Sequence, residues 1–192
     1  MKRVSLAVAV LLLWGGAAAY PSPHRILSLK LCTDGLLLDL VPPSRIVSIS
    51  YLSHTPENSA LWPQARGLPG NHNSAEEILS AHPDLVLADD YTAPAMLDLL
   101  RRSGIRLVAV PDANNFAAIR ESTRLAARAV GEERRGEMLI AHMDAVLRDL
   151  AAHAPARPIR VVGWGAGGYV PGRGTLFDAI LTAAGGVNIA AG

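Results

Sequence analysis

The sequence predicts an α/β fold: a parallel-sheet N-terminal lobe, one long connecting helix, and the start of a second α/β lobe. Three observations predict it. From Arg25 onward, short apolar runs alternate with helical patterns, the signature of βα units that feed a parallel sheet. Residues 132–154 then read as one uninterrupted helix rich in Ala, Leu, Met, Glu and Arg, with Glu137, Met138, His142 and Ala145 among its periodic positions. After Pro155 and Pro158 the alternation starts afresh with a strand, a glycine-rich loop and a helix.

Ahead of this pattern stands MKRVSLAVAVLLLWGGAAAY. Lys2 and Arg3 form a charged start, Val4 to Leu13 an apolar run, and Ala17-Ala18-Ala19 a small-residue cleavage site, so residues 1–19 read as a secretory signal peptide. The apolar run is shorter than the roughly 20 residues a membrane-spanning helix needs. The mature chain is therefore expected to begin near Tyr20 and to work outside the cytoplasm.

Hydrophobic residues make up 50% of the chain and charged residues 18%, enough apolar material for a packed core and against disorder. Removal of Lys2 and Arg3 takes the formal charge from +1 to −1, so no basic excess points to nucleic acid or an anionic membrane surface. Cys32 is the single cysteine, which excludes an internal disulfide. It lies well past the cleavage region, so it is not an obvious lipid-attachment site, and it is expected to be a buried, inert thiol.

In order, Arg25 to Leu29 reads as a strand, Thr33 to Leu40 as a helix ended by Pro42-Pro43, and Arg45 to Ser50 as a second strand. The stretch from Tyr51 to Asn73 is rich in Pro, Gly, Asn and Ser without a period, the mark of a long loop of the kind that carries function. Ser74 opens a helix with a capping box closed by Glu77, and Pro83 marks its end. Asp84 to Ala88 is a buried strand, Ala93 to Ser103 a helix stopped by Gly104, and Ile105 to Val110 another strand. Phe116 to Val130 and then 132–154 are helical; Ile159 to Val162 is a strand and Thr175 to Ala184 a helix. One strand and one helix do not enclose a core, so residues 155–192 read as a second domain begun and not completed.

Several motifs could carry chemistry. Gly163-Trp164-Gly165-Ala166-Gly167-Gly168 matches the dinucleotide-binding G-x-G-x-x-G directly after a strand, the basis of an alternative reading as a secreted nucleotide-dependent enzyme. Its context differs: Tyr169-Val170-Pro171-Gly172 follows where a helix should start, and no acidic residue stands about 20 positions on. As a bare loop at a strand end, the same segment would turn Trp164 and Tyr169 toward a crevice as apolar ligand contacts. Of the six histidines only His54 and His72 share one loop, where a metal site is conceivable but solvated side chains are the commoner outcome. Ser50 or Ser53 with His54 and Asp89 or Asp90 could be forced into a hydrolytic triad, but no G-x-S-x-G supports it.

Ile26-Leu27-Ser28-Leu29 with Thr33-Asp34, Arg45-Ile46-Val47 with Tyr51, Ala75-Glu76-Glu77-Ile78-Leu79 with Pro83-Asp84-Leu85-Val86-Leu87, and the ending Gly185-Gly186-Val187-Asn188 together carry a family resemblance. The chain resembles, from about Arg25 to its last residue, the periplasmic substrate-binding proteins of ABC importers for ferric siderophores and vitamin B12. The resemblance implies two α/β lobes over residues 20–131 and 155–192, joined by a rigid helix over 132–154, with ligand held between them. It implies capture of an iron chelate or corrinoid in the periplasm and delivery to an inner-membrane ABC permease, by a monomer that performs no chemistry and needs no cofactor. By the same resemblance, Tyr51, Asp89, Asp90, Tyr91 and Trp164 would face ligand, with Tyr169 added by the loop reading above, and Glu76 would dock on the permease. The second docking carboxylate of the family would lie beyond Gly192.

Overall fold

A computed structural model describes residues 22–192. The expected signal peptide lies outside the described residues. The first strand, β1 (Ile26–Ser28), is followed by α1 (Leu31–Leu40), β2 (Ile46–Ser50), a four-residue helical turn α2 (Trp62–Ala65) and a two-residue strand β3 (Gly70–Asn71). Next come α3 (Ala75–Ser80), β4 (Leu85–Ala88), α4 (Pro94–Arg102), β5 (Arg106–Ala109), α5 (Phe116–Val130) and α6 (Glu133–Ala152). The remainder holds β6 (Ile159–Val161), α7 (Leu176–Ala183) and β7 (Gly186–Asn188). The strands form a five-stranded sheet in the order β3-β2-β1-β4-β5 and a two-stranded sheet of β6 and β7, with every pairing parallel.

Side chains alternate across the pleat, so each strand of the larger sheet serves two cores. Ile26, Leu85 and Leu87 point to one face with Leu37 and Leu40 of α1 and Ala126 and Val130 of α5. Leu27, Val86 and Ala88 point to the other, with Ile78 of α3 and Leu100 of α4. Burial on both faces is why β4 reads as an unbroken apolar run rather than an alternating one. The Pro83-Asp84 pair anchors its start: the Asp84 carboxylate accepts from the amides of His24 at 2.8 Å and Arg25 at 3.0 Å.

The capping box at α3 is present, with the Ser74 hydroxyl accepting from the Glu77 amide and the Glu77 carboxylate accepting from the Ser74 amide. Asn115 caps α5 by accepting from the Ala118 amide, and Gly131, at φ 74°, ends that helix in the left-handed conformation glycine adopts freely. Arg45, at the foot of β2, ties this junction together. It donates to the carbonyls of Pro23 and Val130 and to the carboxylate of Glu132.

The expected loop from Tyr51 to Asn73 is more ordered than its composition suggests. It holds a 3-10 turn at Tyr51–His54, then α2 and β3. A strand of two residues is too short to leave a period in the sequence. It is held by Asn71, whose buried amide donates to the Ser28 carbonyl at 3.0 Å and the Ser48 hydroxyl at 2.9 Å.

The segment after Pro158 also gains a strand that the sequence does not announce. β7 follows α7 through Gly185-Gly186 and pairs with β6 along three residues. A Cβ on Gly186 would stand 2.3 Å from Leu181 Cδ1, so glycine is what lets this strand lie under α7. No hydrophobic residue after Ile140 is buried among the described residues.

Candidate functional site

Because all five strands of the larger sheet are parallel, their carboxyl ends share one edge. The chain leaves β1 toward β2 on one side, while β4 joins β1 on the other, and such a reversal of strand order opens a crevice above the strand ends. The residues that follow each strand line this edge: His72 after β3, Tyr51 after β2, Leu29 to Cys32 after β1, Asp89 to Tyr91 after β4, and Val110 to Asp112 after β5.

Tyr51 is 47% exposed and its ring stacks on that of His72, with centroids 4.6 Å apart and planes at 24°. His72 in turn sits on Glu77: its Nδ1 is 3.0 Å from Oε1, and its amide donates to Oε2 at 2.8 Å. These bonds, the side-chain one first, hold the Glu77 carboxyl well below its usual range, at about 2. His54 behaves differently, with Nδ1 3.2 Å from the Tyr51 carbonyl and Nε2 3.0 Å from the Leu68 carbonyl. A neutral imidazole donates to one of these carbonyls only, and that bond holds the loop; among the described residues no group of three or more metal-ligating side chains includes His54 or His72.

Asp89 and Asp90 mainly shape their own loop. Asp89 Oδ1 accepts from the Tyr91 amide at 3.1 Å and the Thr92 hydroxyl at 2.9 Å, while Asp90 Oδ2 accepts from the Asp112 amide at 3.1 Å. The loops after β4 and β5 are thereby joined, and Tyr91 is left 73% exposed.

Beneath this edge lies Asp34, fully buried, with Oδ2 accepting from the Ser50 amide at 3.1 Å and the Ser53 hydroxyl at 2.6 Å. Burial raises its pKa above the ordinary 3.8, against the opposing effect of hydrogen bonds such as those from Ser53 and Ser50. Ser53 is thus committed to Asp34, and Ser50 accepts from the Leu52 amide; neither hydroxyl meets His54, and no hydrolytic triad is assembled.

Cys32 corrects the expectation of a buried thiol, because it is exposed. It lines a cavity of about 220 Å³ with Thr33, Asp89, Asp112 and, from α7, Leu176. Partial burial, then the carboxylates of Asp112, Asp89 and Asp34, push its pKa above the ordinary 9.0, so the thiol is kept protonated. The presence of Leu176 in the lining brings the second unit against this edge of the first.

The second unit offers Trp164 and Tyr169, at 77% and 63% exposure. Their loop closes on itself, with the Gly165 amide donating to the Tyr169 carbonyl at 2.7 Å and the Gly168 amide to the Gly165 carbonyl at 3.2 Å. A dinucleotide loop would aim such amides at phosphate and run straight into a helix. Here a 3-10 turn at Ala166–Gly168 intervenes and α7 begins only at Leu176, behind the cap of Thr175. Glu76 stands exposed in the first turn of α3, on the carboxyl side of β3, its carboxylate in no hydrogen bond or ion pair among the described residues.

The structure therefore brings Tyr51, Asp89, Asp90 and Tyr91 to one edge and leaves both Trp164 and Tyr169 open on the second unit. Sequence reasoning missed Cys32 and Asp112 as cavity residues and His72 as the partner of Tyr51. The polar pair Thr33-Asp34 directly after an apolar strand was the available signal for the first of these.

Over 174 residues the chain is 28% identical to the cobalamin-binding protein of Halobacterium salinarum, covering 88% of this chain and 47% of that protein. Over 84 residues it is 30% identical to an uncharacterized ABC transporter substrate-binding lipoprotein of Bacillus subtilis, covering 42% of this chain and 27% of that protein. The chain spans about half or less of the length of these relatives. Among solved structures, the apo periplasmic heme-binding protein of Roseiflexus sp. RS-1 has a TM-score of 0.68 at 29% identity, covering 86% of this chain and 65% of that one. A periplasmic heme-binding protein of Vibrio cholerae has a TM-score of 0.74 at 24% identity, covering 87% and 66%, a likeness of fold. Residues 21–192 match the family model described as periplasmic binding protein, and with a parallel sheet whose strand ends open on one crevice, the chain belongs to the periplasmic binding protein family.

Proposed function

We propose that this protein is the substrate-binding component of an ABC importer, working in the periplasm, and that it takes a metal chelate of the heme, ferric-siderophore or corrinoid kind. The observation that carries the reading is the aromatic edge: Tyr51, stacked on His72, and Tyr91 on the first unit, with Trp164 and Tyr169 open on the second. Adjacent strands lie about 4.8 Å apart, so the edge from β3 to β5 runs about 19 Å, wide enough for a broad, flat ligand laid across several strand ends. The cavity of about 220 Å³ is smaller than a drug-sized ligand needs. It serves as the floor of the site, with ligand held above it between residues 20–131 and 155–192. α6, within the connecting segment 132–154, is 20 residues long and spans roughly 30 Å, a rigid spacer that limits lobe movement.

Relatives named for cobalamin and for heme support this class of ligand. In this reading residues 1–19 direct export and are removed, Glu76 meets the permease, the protein acts as a monomer, and no chemistry is performed. Tryptophan fluorescence of the exported chain, titrated with hemin, cyanocobalamin, a ferric siderophore and NAD, tests it. Saturable quenching by at least one chelate and none by NAD is the expected result. A response to NAD alone would sink the proposal.

A further inference from the structure

The turn that carries Tyr51 is mounted on a buried carboxyl. Asp34, in α1, is fully buried, and two groups that flank Tyr51 donate to it: the Ser50 amide at 3.1 Å and the Ser53 hydroxyl at 2.6 Å. Both bonds end on Oδ2, and Oδ1 has no hydrogen-bond partner among the described residues. β3 backs the same turn from another side. A Cβ on Gly70 would stand 3.4 Å from Tyr51 Cα and 3.3 Å from His54 Cε1, so only glycine lets the strand lie this close. The Tyr51 ring then meets that of His72, with centroids 4.6 Å apart.

Packing alone does not account for a carboxyl at this position. An apolar side chain would join α1 to β2 with no polar atom to satisfy, whereas Asp34 carries an unpaired oxygen into the core. What the carboxyl adds is a grip on the backbone just before Tyr51 and on the side chain two residues after it. The grip needs no charge. Burial favours the neutral form of Asp34, and a neutral carboxyl still accepts at Oδ2.

We infer that Asp34 is a positioning residue for ligand capture: it holds Tyr51 from both flanks, so that the ring stands ready at the ligand edge before a flat ligand arrives. This rests on the proposed function and deepens it. A loop and side chain that must be ordered on binding subtract from affinity, and a ring fixed in advance avoids that loss. Asp34 touches no ligand itself; it acts through Tyr51.

The test is the affinity of the full exported chain for hemin, cyanocobalamin and ferrichrome, read by tryptophan fluorescence. Asp34→Leu removes both bonds and is expected to weaken binding of the chelate that the wild type takes by about fivefold or more. Ser53→Ala removes one bond, for an expected loss of about two- to fivefold, and it decides the matter should Asp34→Leu fail to fold. Asp34→Asn, which still accepts from both donors, should stay within about twofold of the wild type. A carboxyl that merely stabilised the lobe would weaken binding in any background. Acting through Tyr51, it should lose its influence once the ring is gone, so in Tyr51→Ala neither Asp34→Leu nor Ser53→Ala should change affinity by more than about twofold. Wild-type affinity in Ser53→Ala and Asp34→Leu would overturn the inference, as would equal losses with and without the Tyr51 ring; either result leaves the proposed function standing. Failure of the wild type to bind any of the three chelates would overturn both.

Discussion

Asp34 places a carboxyl fully inside the protein at the ends of β1 and β2, where hydrogen bonds from Ser50 and Ser53 meet one oxygen only. Its folded pKa lies above the ordinary 3.8 because burial outweighs those bonds. The folded state therefore holds this proton more tightly than the unfolded chain. The resulting stability is fully present below about pH 4 and is lost as pH rises through the folded pKa. Asp34→Asn, which can still accept from both donors, should gain on the wild type in thermal midpoint as pH rises above about 4. A midpoint difference that does not move with pH would contradict this account. Cys32 gives a second residue-scale prediction. Its raised pKa owes part to Asp112, so Asp112→Asn should speed alkylation of Cys32 by iodoacetamide at pH 8, roughly two- to threefold. An unchanged or slower rate would mean that the carboxylate does not act on the thiol. The sequence suggested a core position for Cys32 because one thiol among leucines looks like packing. Helix phase decides otherwise, since Leu37 and Leu40 take the inward side of α1 and Cys32 falls toward the crevice.

At the level of elements, the longer helices were legible because each has enough residues to repeat a pattern, and the strands that were read are apolar runs between turn residues. The strand expected at 84–88 is β4 at Leu85–Ala88, and the helix expected from Phe116 to Val130 has those bounds. β3 and β7 were illegible for a common reason: β1 and β6 are as short as β7 but carry apolar β-branched residues, whereas β3 and β7 both hold glycine and asparagine, which read as turns. What defines them is tertiary, the Asn71 side chain in one case and the close approach to Leu181 in the other. The α5–α6 pair shows a similar dependence. A Cβ on Gly136 would come within 2.5 Å of Ala127 Cβ, so the glycine sets how closely α6 lies on α5. In an isolated helix Gly→Ala would be favourable by about 1 kcal/mol. Here overpacking should win, and Gly136→Ala is expected to lower stability by about 1–3 kcal/mol in urea unfolding. Ala127→Gly in the same chain should recover part of the loss. A stabilised Gly136→Ala variant would show that the helices separate without cost. Arg124 with Glu137 at 2.7 Å, exposed, and Arg120 with Asp144, half-buried, join the same pair at its rim, but ion pairs still open to water contribute too little to offset a backbone displaced by a methyl group.

For the molecule as a whole, what the sequence conveyed about the site was its aromatic content and its place at strand ends, because both follow from the order of elements. The partnerships within it, Tyr51 with His72 and Asp90 with the Asp112 amide, join segments 21 to 22 positions apart, and no local pattern records them. In the proposed function capture and delivery fall to different residues, and substitutions should divide them. Tyr51 lies on the ligand edge; Tyr51→Ala removes a ring worth about 1–2 kcal/mol against a flat ligand, so affinity should fall about 5- to 30-fold. Glu76 is exposed and its carboxylate makes no hydrogen bond or ion pair among the described residues, so Glu76→Arg costs the fold only the favourable effect of a carboxylate at a helix start, about 0.3–1 kcal/mol, and a similar amount for the opposite charge in its place. Its ligand affinity should stay within about twofold of the wild type. In proteoliposomes carrying the cognate permease, however, Glu76→Arg should no longer stimulate ATP hydrolysis, because the charge meant for a basic partner is reversed. Tyr51→Ala, once saturated with ligand, should stimulate as the wild type does. If Glu76→Arg stimulates normally, the carboxylate serves only the start of α3 and the docking surface lies elsewhere on the molecule.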